Sequence, residues 1–325
     1  LSGRCATDRA LCPSTLYYDL VAADWWTDML RALGVSPEQL PELKTSGEIA
    51  GFISDAAARD TGLSPATPVT TSPIDQIAAA VGAGNMTPGV VTACVGAALA
   101  LCATLDRPAY DPLKRAGLYA HALPDRYVLM PWVPTAGMVL RWFRDAFGGG
   151  QDYASLIEEA APVPPGCDGL TMLPHLCGAF GPAPDSHARG AFLGLTLAHG
   201  RGHMVRAILE AVAFMLRENI EMLDAIGVPV HEVRVLGGAA RSDLWLRIMA
   251  EVCRRDLLVM DCEEAAGLGT AAIAFAAAGI FPSLAAAAKE MTRVRRRVAL
   301  DASAAGYEAV YQRFQSLQKA ARDLR

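Results

Sequence analysis

Val233-Arg234-Val235-Leu236-Gly237-Gly238-Ala239-Ala240-Arg241-Ser242-Asp243-Leu244-Trp245, continuing through Leu246 and Cys253 to Leu257-Leu258, reads as strand, glycine turn, helix and strand. Val233, Val235 and Leu236 form the β-branched or apolar run, and Gly237 and Gly238 interrupt it. Ser242 or Asp243 can cap a helix whose apolar residues Leu244, Leu246, Ile248, Met249 and Val252 follow at helical spacing. A tight turn feeding a helix N-terminus leaves backbone N–H groups pointing outward, and both they and the helix dipole favour negative charge. The turn therefore suits phosphate, with glycine letting a ligand come close to the backbone. The same letters also fit a plain β–turn–α connection, and they match neither the dinucleotide-binding glycine pattern nor a Walker loop.

Three other stretches bear on that choice. Asp75 stands where a strand expected at Val69 to Thr71 gives way to an alanine-rich helix, Gln76 to Gly82. Its carboxylate is a candidate general base held over a cleft, or a helix N-cap. Val90 to Thr104 reads as a strand pair broken at Gly96-Ala97-Ala98, either a core hairpin or a second phosphate-contacting turn. Gly202 to Ile226 reads as the longest helix. Its apolar face holds Ile208, Val212, Met215, Leu216 and Leu223, while Arg206, Glu210, Arg217, Glu218 and Glu221 fall mostly elsewhere.

Punctuation places further elements. Gly34 closes a helix begun near Trp26, and Ser54 caps another that Gly62 ends. Helices are expected at Val139 to Phe147, Tyr153 to Ala160, Leu268 to Ala278 and Ala304 to Arg325. Strands are expected at Tyr127 to Pro131, Gly169 to Pro174 and Leu257 to Met260.

The composition excludes several classes. With 325 residues, 52% hydrophobic and 19% charged, the chain can bury a sizeable core. The net charge of −5 and the short basic run Arg293 to Arg297, read as a solvated helix face, argue against nucleic acid as a partner. Ala265 to Ile280, broken by Gly267, Gly269 and Gly279, does not reach the length of a membrane span. Eight cysteines without a Cys-x-x-Cys pair read as reduced, mostly buried thiols in a cytoplasmic protein. His199 and His203 lack a third ligand, and no metal site is assigned.

Several motifs, in order and spacing, carry a family resemblance. They are Leu1-Ser2-Gly3-Arg4 to Asp8; Asp75-Gln76 with Gly82 and Gly84; Arg189-Gly190-Ala191-Phe192-Leu193-Gly194-Leu195 with His199, Arg206 and Glu210; Leu236 to Ser242 with Trp245; and Glu264 to Ala271. Together they resemble the FGGY carbohydrate kinases, xylulokinase-like members in particular. The resemblance implies an α/β, actin-like and ribonuclease H-like fold of two domains around a cleft. Residues 1–84 would be the C-terminal part of the sugar-binding domain, with that first domain incomplete, and 85–325 the nucleotide-binding domain. It implies Asp75 as catalytic base, Asp75 and Gln76 as substrate-binding residues, and Gly96, Ala97, Gly237, Gly238, Ala239 and Ser242 around the nucleotide. ATP and Mg²⁺ would be the cofactors and a sugar or polyol, xylulose-like ketoses favoured, the acceptor; a homodimer stays open.

The family begins with a strand–turn–strand carrying aspartate, glycine and threonine. The chain starts at Leu1, inside the pattern, so it is expected to be an N-terminally truncated fragment that is inactive alone. The family's second phosphate turn reads Gly-Thr-Ser or similar, whereas here it is Gly96-Ala97-Ala98. The alternative function is therefore a catalytically weakened, kinase-fold protein that binds nucleotide or sugar.

Overall fold

Alternation along three neighbouring strands sets the architecture: Val91, Ala93, Val95, Val233, Val235 and Leu257 join one buried cluster, while Cys94, Leu236 and Met260 join another on the opposite face. The computed structural model describes residues 1–181, 183–301 and 306–323.

The first part of the chain is built from short pieces. Strands β1 (Ala6–Asp8), β2 (Tyr18–Asp19), β3 (Asp24–Trp25), β4 (Glu42–Lys44), β5 (Ile49–Phe52) and β6 (Pro68–Thr70) form three two-stranded pairs, β1 with β4, β2 with β3 and β5 with β6. Helices α1 (Thr27–Leu33) and α2 (Asp55–Thr61) end on left-handed Gly34 and Gly62, and the Ser54 hydroxyl caps α2 by accepting from the Ala57 N–H at 3.2 Å. Helix α3 (Asp75–Gly82) follows.

The main sheet then forms from β7 (Gly89–Val95), β8 (Leu99–Leu105), β9 (Gly117–Ala120), β10 (Tyr127–Met130), β11 (Trp132–Val133), β14 (Val230–Leu236), β15 (Leu257–Met260) and β16 (Val294–Val298). A separate small pair is made by β12 (Thr171–Leu173) and β13 (Ala191–Leu193). The main order is β16-β15-β14-β7-β8-β10-β9, with β11 also on β8. Strands β7, β14 and β15 run parallel, and the rest are antiparallel to their neighbours. Leu236 lies beside Cys94, so the carboxyl ends of β14 and β7 emerge together. Such a place, at the ends of parallel strands with helices on both faces, is where open α/β sheets bind ligands.

Helices α4 (Gly137–Phe147), α5 (Tyr153–Ala160), α6 (Arg201–Ala225), α7 (Asp243–Cys253) and α10 (Tyr307–Asp323) share the core on one face; α3, α8 (Ala265–Ala277) and α9 (Leu284–Met291) share the core on the other. Ala304, Leu324 and Arg325, the expected ends of the closing helix, lie outside the described residues. Among the described residues no helix is long and apolar enough to cross a membrane.

The contact of α3 with α8 is unusually close because both helices are made of small residues. A Cβ at Gly82 would overlap the Ala265 carbonyl, and one at Gly269 would overlap the Ala78 carbonyl. The two backbones therefore touch, and any side chain at either glycine would force them apart.

Arg206 and Glu210, off the apolar face of α6, are nonetheless both buried, and they pair at 3.0 Å. The Tyr307 hydroxyl accepts from Arg206 at 2.6 Å and donates to Glu210 at 3.0 Å, and the Gly166 N–H donates to the same carboxylate at 3.1 Å. Helix α6 is wrapped by α5, α7 and α10, so it has no solvated side at this level. One expectation fails here: Arg293 to Arg297 contributes to β16 rather than to a helix. Pairing with β15 decides its structure, and its arginines stay exposed on the sheet edge as edge-protecting charges do.

A buried histidine gives the fold a pH dependence. The His121 Nδ1 accepts from the Leu123 N–H at 2.9 Å, so its proton is on Nε2, which donates to the Asn85 carbonyl at 3.1 Å. Burial lowers its pKa to about 4. Between that value and the ordinary one of about 6.5, the unfolded chain binds the extra proton and the folded chain does not. Stability from this group is complete above the upper value and is lost as pH falls through the window, by on the order of 3 kcal/mol. Urea unfolding from pH 7.5 to 4.5 is expected to show that slope, and His121→Gln, which can keep both hydrogen bonds, is expected to flatten it. Identical slopes in the two proteins would reject the assignment.

Candidate functional site

The site is built from two turns and one helix end. The first turn, Gly96–Ala98, joins β7 to β8. The Ala136 and Met138 N–H groups donate to the Ala97 carbonyl at 2.9 and 3.1 Å, and the Gly137 N–H donates to the Gly96 carbonyl at 2.9 Å. The start of α4 thus holds the turn by its carbonyls, the Gly96 N–H closes it by donating to the Ala98 carbonyl at 3.0 Å, and the Ala97 and Ala98 N–H groups are left for other use. Gly137 is required for this, because a Cβ there would come within 2.5 Å of the Gly96 oxygen. Ala97 itself is exposed.

The second turn follows β14 and winds into a single 3-10 turn, Gly238–Arg241. The two glycines do different work. Gly237 has φ +85°, and a Cβ on it would lie 2.7 Å from the Val95 carbonyl and 3.1 Å from the Gly96 nitrogen. Its glycine is demanded by backbone conformation and by the neighbouring turn, not by ligand approach as the sequence suggested. Gly238 has open space where its Cβ would be, and so does Gly96 apart from one atom at 4.0 Å. At these two positions an incoming group can come close to the backbone, where the N–H groups of Ala97 and Gly238 are at hand.

Asp75 is the first residue of α3, one past the N-cap position, which Ile74 occupies. Its Oδ1 accepts from the Gln76 N–H at 2.7 Å, the carboxylate is exposed, and no cation pairs with it among the described residues. The Cys102 thiol on β8 donates to the Gln76 carbonyl at 3.6 Å. Burial, and secondarily the Asp75 charge, push up the thiol of Cys94, two residues before Gly96. Asp75 and the first turn therefore lie toward the same end of β7. The Gln76 Oε1 is buried with no hydrogen-bond partner among the described residues, an acceptor waiting for a donor such as a hydroxyl.

Beside the second turn is a cavity of about 360 Å³, within the usual size of small-ligand sites. Gly237, Gly238, Arg241, Glu263, Glu264 and Arg295 are among its walls. Arg241 and Glu263 pair across it at 3.1 Å. Two residues expected to border a nucleotide do not face this space. Ala239 is buried in the core, and the Ser242 hydroxyl caps α7 by accepting from the Trp245 N–H at 3.2 Å. Sequence reading missed Arg241, Glu263, Glu264 and Arg295, which gather only because β15 and β16 pair next to β14.

A nucleotide fits this arrangement, with open-sided turns for phosphates and a cavity for the nucleoside. A divalent cation finds no protein cage: among the described residues no cluster of three His, Cys, Asp or Glu side chains could hold a metal ion. Mg²⁺ is ordinarily held by substrate phosphates and water rather than by an all-protein cage.

Residues 92–278 match the sequence profile described as "FGGY family of carbohydrate kinases, C-terminal domain", and residues 1–82 match its N-terminal domain. The chain is 28% identical over 293 residues to the xylulose kinase of Bacillus subtilis, covering 90% of this chain and 59% of that protein. It is 28% identical over 324 residues to the gluconokinase of the same organism, covering 96% and 63%. The crystal structure of xylulose kinase from Rhodospirillum rubrum matches with a TM-score of 0.88 at 29% identity, covering 100% of this chain and 66% of that one. The chain spans about three fifths of the length of these curated relatives.

Proposed function

The chain belongs to the FGGY family of carbohydrate kinases and has its actin-like α/β fold, and from that premise we propose that its protein transfers the γ-phosphoryl group of ATP to a hydroxyl of a sugar or polyol. A ketose of the xylulose kind is the favoured acceptor, since xylulose kinases recur among the relatives and solved structures it resembles. Residues 1–84 belong to the sugar side and 85–325 to the nucleotide side. The eight free cysteines suit a cytoplasmic setting.

The observation that carries the reading is the position of Asp75: an exposed carboxylate with no paired cation, at the head of a helix, toward the same strand end as a turn with an open amide side. In the reaction, Asp75 takes the proton from the attacking hydroxyl as its oxygen bonds to the γ-phosphorus. The bond from that phosphorus to the bridging oxygen breaks, and ADP leaves with the electron pair. The Gln76 Oε1 accepts from a second hydroxyl and so orients the sugar. Main-chain N–H groups at Ala97, Ala98 and Gly238 meet the phosphates, where preorganised donors stabilise charge developing in the transition state. The test is ADP release by the full-length protein, coupled to a reporter, over pentuloses, hexuloses and polyols. Turnover is expected on one class of these; none on any, with ATP still bound, would defeat the proposal.

Ala97 favours a second reading, a weakened enzyme that chiefly binds. Its methyl group sits exposed where the family carries a hydroxyl, and one lost transition-state hydrogen bond is worth roughly 10²–10³ in rate. Ala97→Thr separates the two: a rate gain of that size marks a weakened enzyme, and a change of less than about threefold marks one that relies on backbone donors.

A further inference from the structure

Strand β16 carries one residue too many for its partner. Val259 faces Arg296 and Met260 faces Val294, so Arg295 is left over as a bulge. A bulge takes the side chain of its extra residue out of the strand's alternation and re-aims it. Here the re-aimed side chain lines the cavity beside Gly237 and Gly238 and, with Arg296 and Asp243, a second hollow next to it. Its strand neighbours are engaged outside that cavity: Arg296 pairs with Asp243 and Arg297 with Asp256. Across the cavity Arg241 is held by Glu263. Arg295 is exposed and has no ion-pair or hydrogen-bond partner among the described residues.

We infer that Arg295 is a nucleotide-binding residue whose guanidinium lies against the purine base. The inference deepens the kinase reading and rests on it. Its geometry is directional. The cavity runs up to Gly238, and the turn at Gly237 abuts the turn at Gly96, so a ligand spanning both leaves its phosphates at the amides and its nucleoside in the cavity. The charges agree. Asp261, Glu263 and Glu264 share the cavity, which disfavours a polyanion there and provides acceptors for ribose hydroxyls. A planar guanidinium both stacks on a purine face and donates to ring nitrogens, which an ammonium cannot do as well. A bulge on an edge strand would thus supply the base contact, while the strand's other arginines tie the sheet edge to its neighbours.

The test is calorimetric binding of ATP and of inorganic tripolyphosphate to the protein and to its Arg295→Ala and Arg295→Lys variants. Arg295→Ala is expected to weaken ATP about tenfold, Arg295→Lys to recover only part of that, and tripolyphosphate affinity to stay within about twofold throughout. Melting without ligand is expected to be unchanged, because the side chain is exposed. ATP bound equally by the protein and its Arg295→Ala variant would overturn the inference alone. An equal loss of tripolyphosphate binding would also overturn it, making Arg295 a phosphate contact. No ATP binding by the unaltered protein would remove the kinase reading as well, a result distinct from the other two.

Discussion

Asp75→Asn is expected to lower kcat by roughly 10²–10⁴-fold with little change in KM or melting temperature. The direction follows from the placement of the residue. Asparagine keeps an oxygen to accept from the Gln76 N–H, so the head of α3 stays formed. The carboxylate is exposed and makes no ion pair, so its removal costs no packing and leaves no orphaned charge. What disappears is the ability to take a proton as the hydroxyl attacks. The measurement is steady-state ADP release with the best acceptor, beside a thermal melt. A kcat within about threefold of the unaltered protein, far less than a general base supplies, would remove Asp75 from the mechanism.

Arg206→Met is expected to destabilise the protein by about 3–5 kcal/mol, because it strands the Glu210 carboxylate in the core without its cation. Burial already pushes the Glu210 carboxyl up, and Arg206, the Gly166 N–H and Tyr307 hold it down. The double change Arg206→Met with Glu210→Leu is expected to regain part of the loss, since an apolar pair avoids desolvating two charges but leaves the Gly166 N–H and the Tyr307 hydroxyl without their acceptor. Urea unfolding of the single and double variants checks both statements. A single variant within about 1 kcal/mol of the parent would mean that the pair is not a buried unit.

The sequence was legible where chemistry marks a boundary locally. Gly34 and Gly62 end helices through a left-handed backbone, Ser54 and Ser242 begin them through their hydroxyls, and the breaks at Gly96 and Gly237 are turns at strand ends. It was illegible where distant partners decide. Arg206 and Glu210 look solvent-facing on a helical wheel, and only Tyr307, about a hundred positions away, reveals that they are enclosed. Gly237 looks like a ligand glycine until Val95 and Gly96 are seen against it. The run of arginines near the end carries no strand alternation, and its extra residue exists only relative to the register of β15. Asp75, by contrast, was visible because a lone acid opening an alanine-rich helix stands out in one dimension.

The glycine crossing of α3 on α8 makes the helix a lever. Where two backbones touch with no side chain between them, sliding is blocked, and the remaining freedom is rotation about the point of touch. With a rise of about 1.5 Å per residue, Asp75 lies about 4.5 Å beyond Ala78, the nearer of the two places where the backbones touch, so a swing of about 12° carries it by about 1 Å. Displacements of that size can change rates by about a hundredfold. On the role proposed for Asp75, the proton transfer at one end of α3 depends on the seating of its other end, and small shifts of α8 are expected to register as changes in turnover.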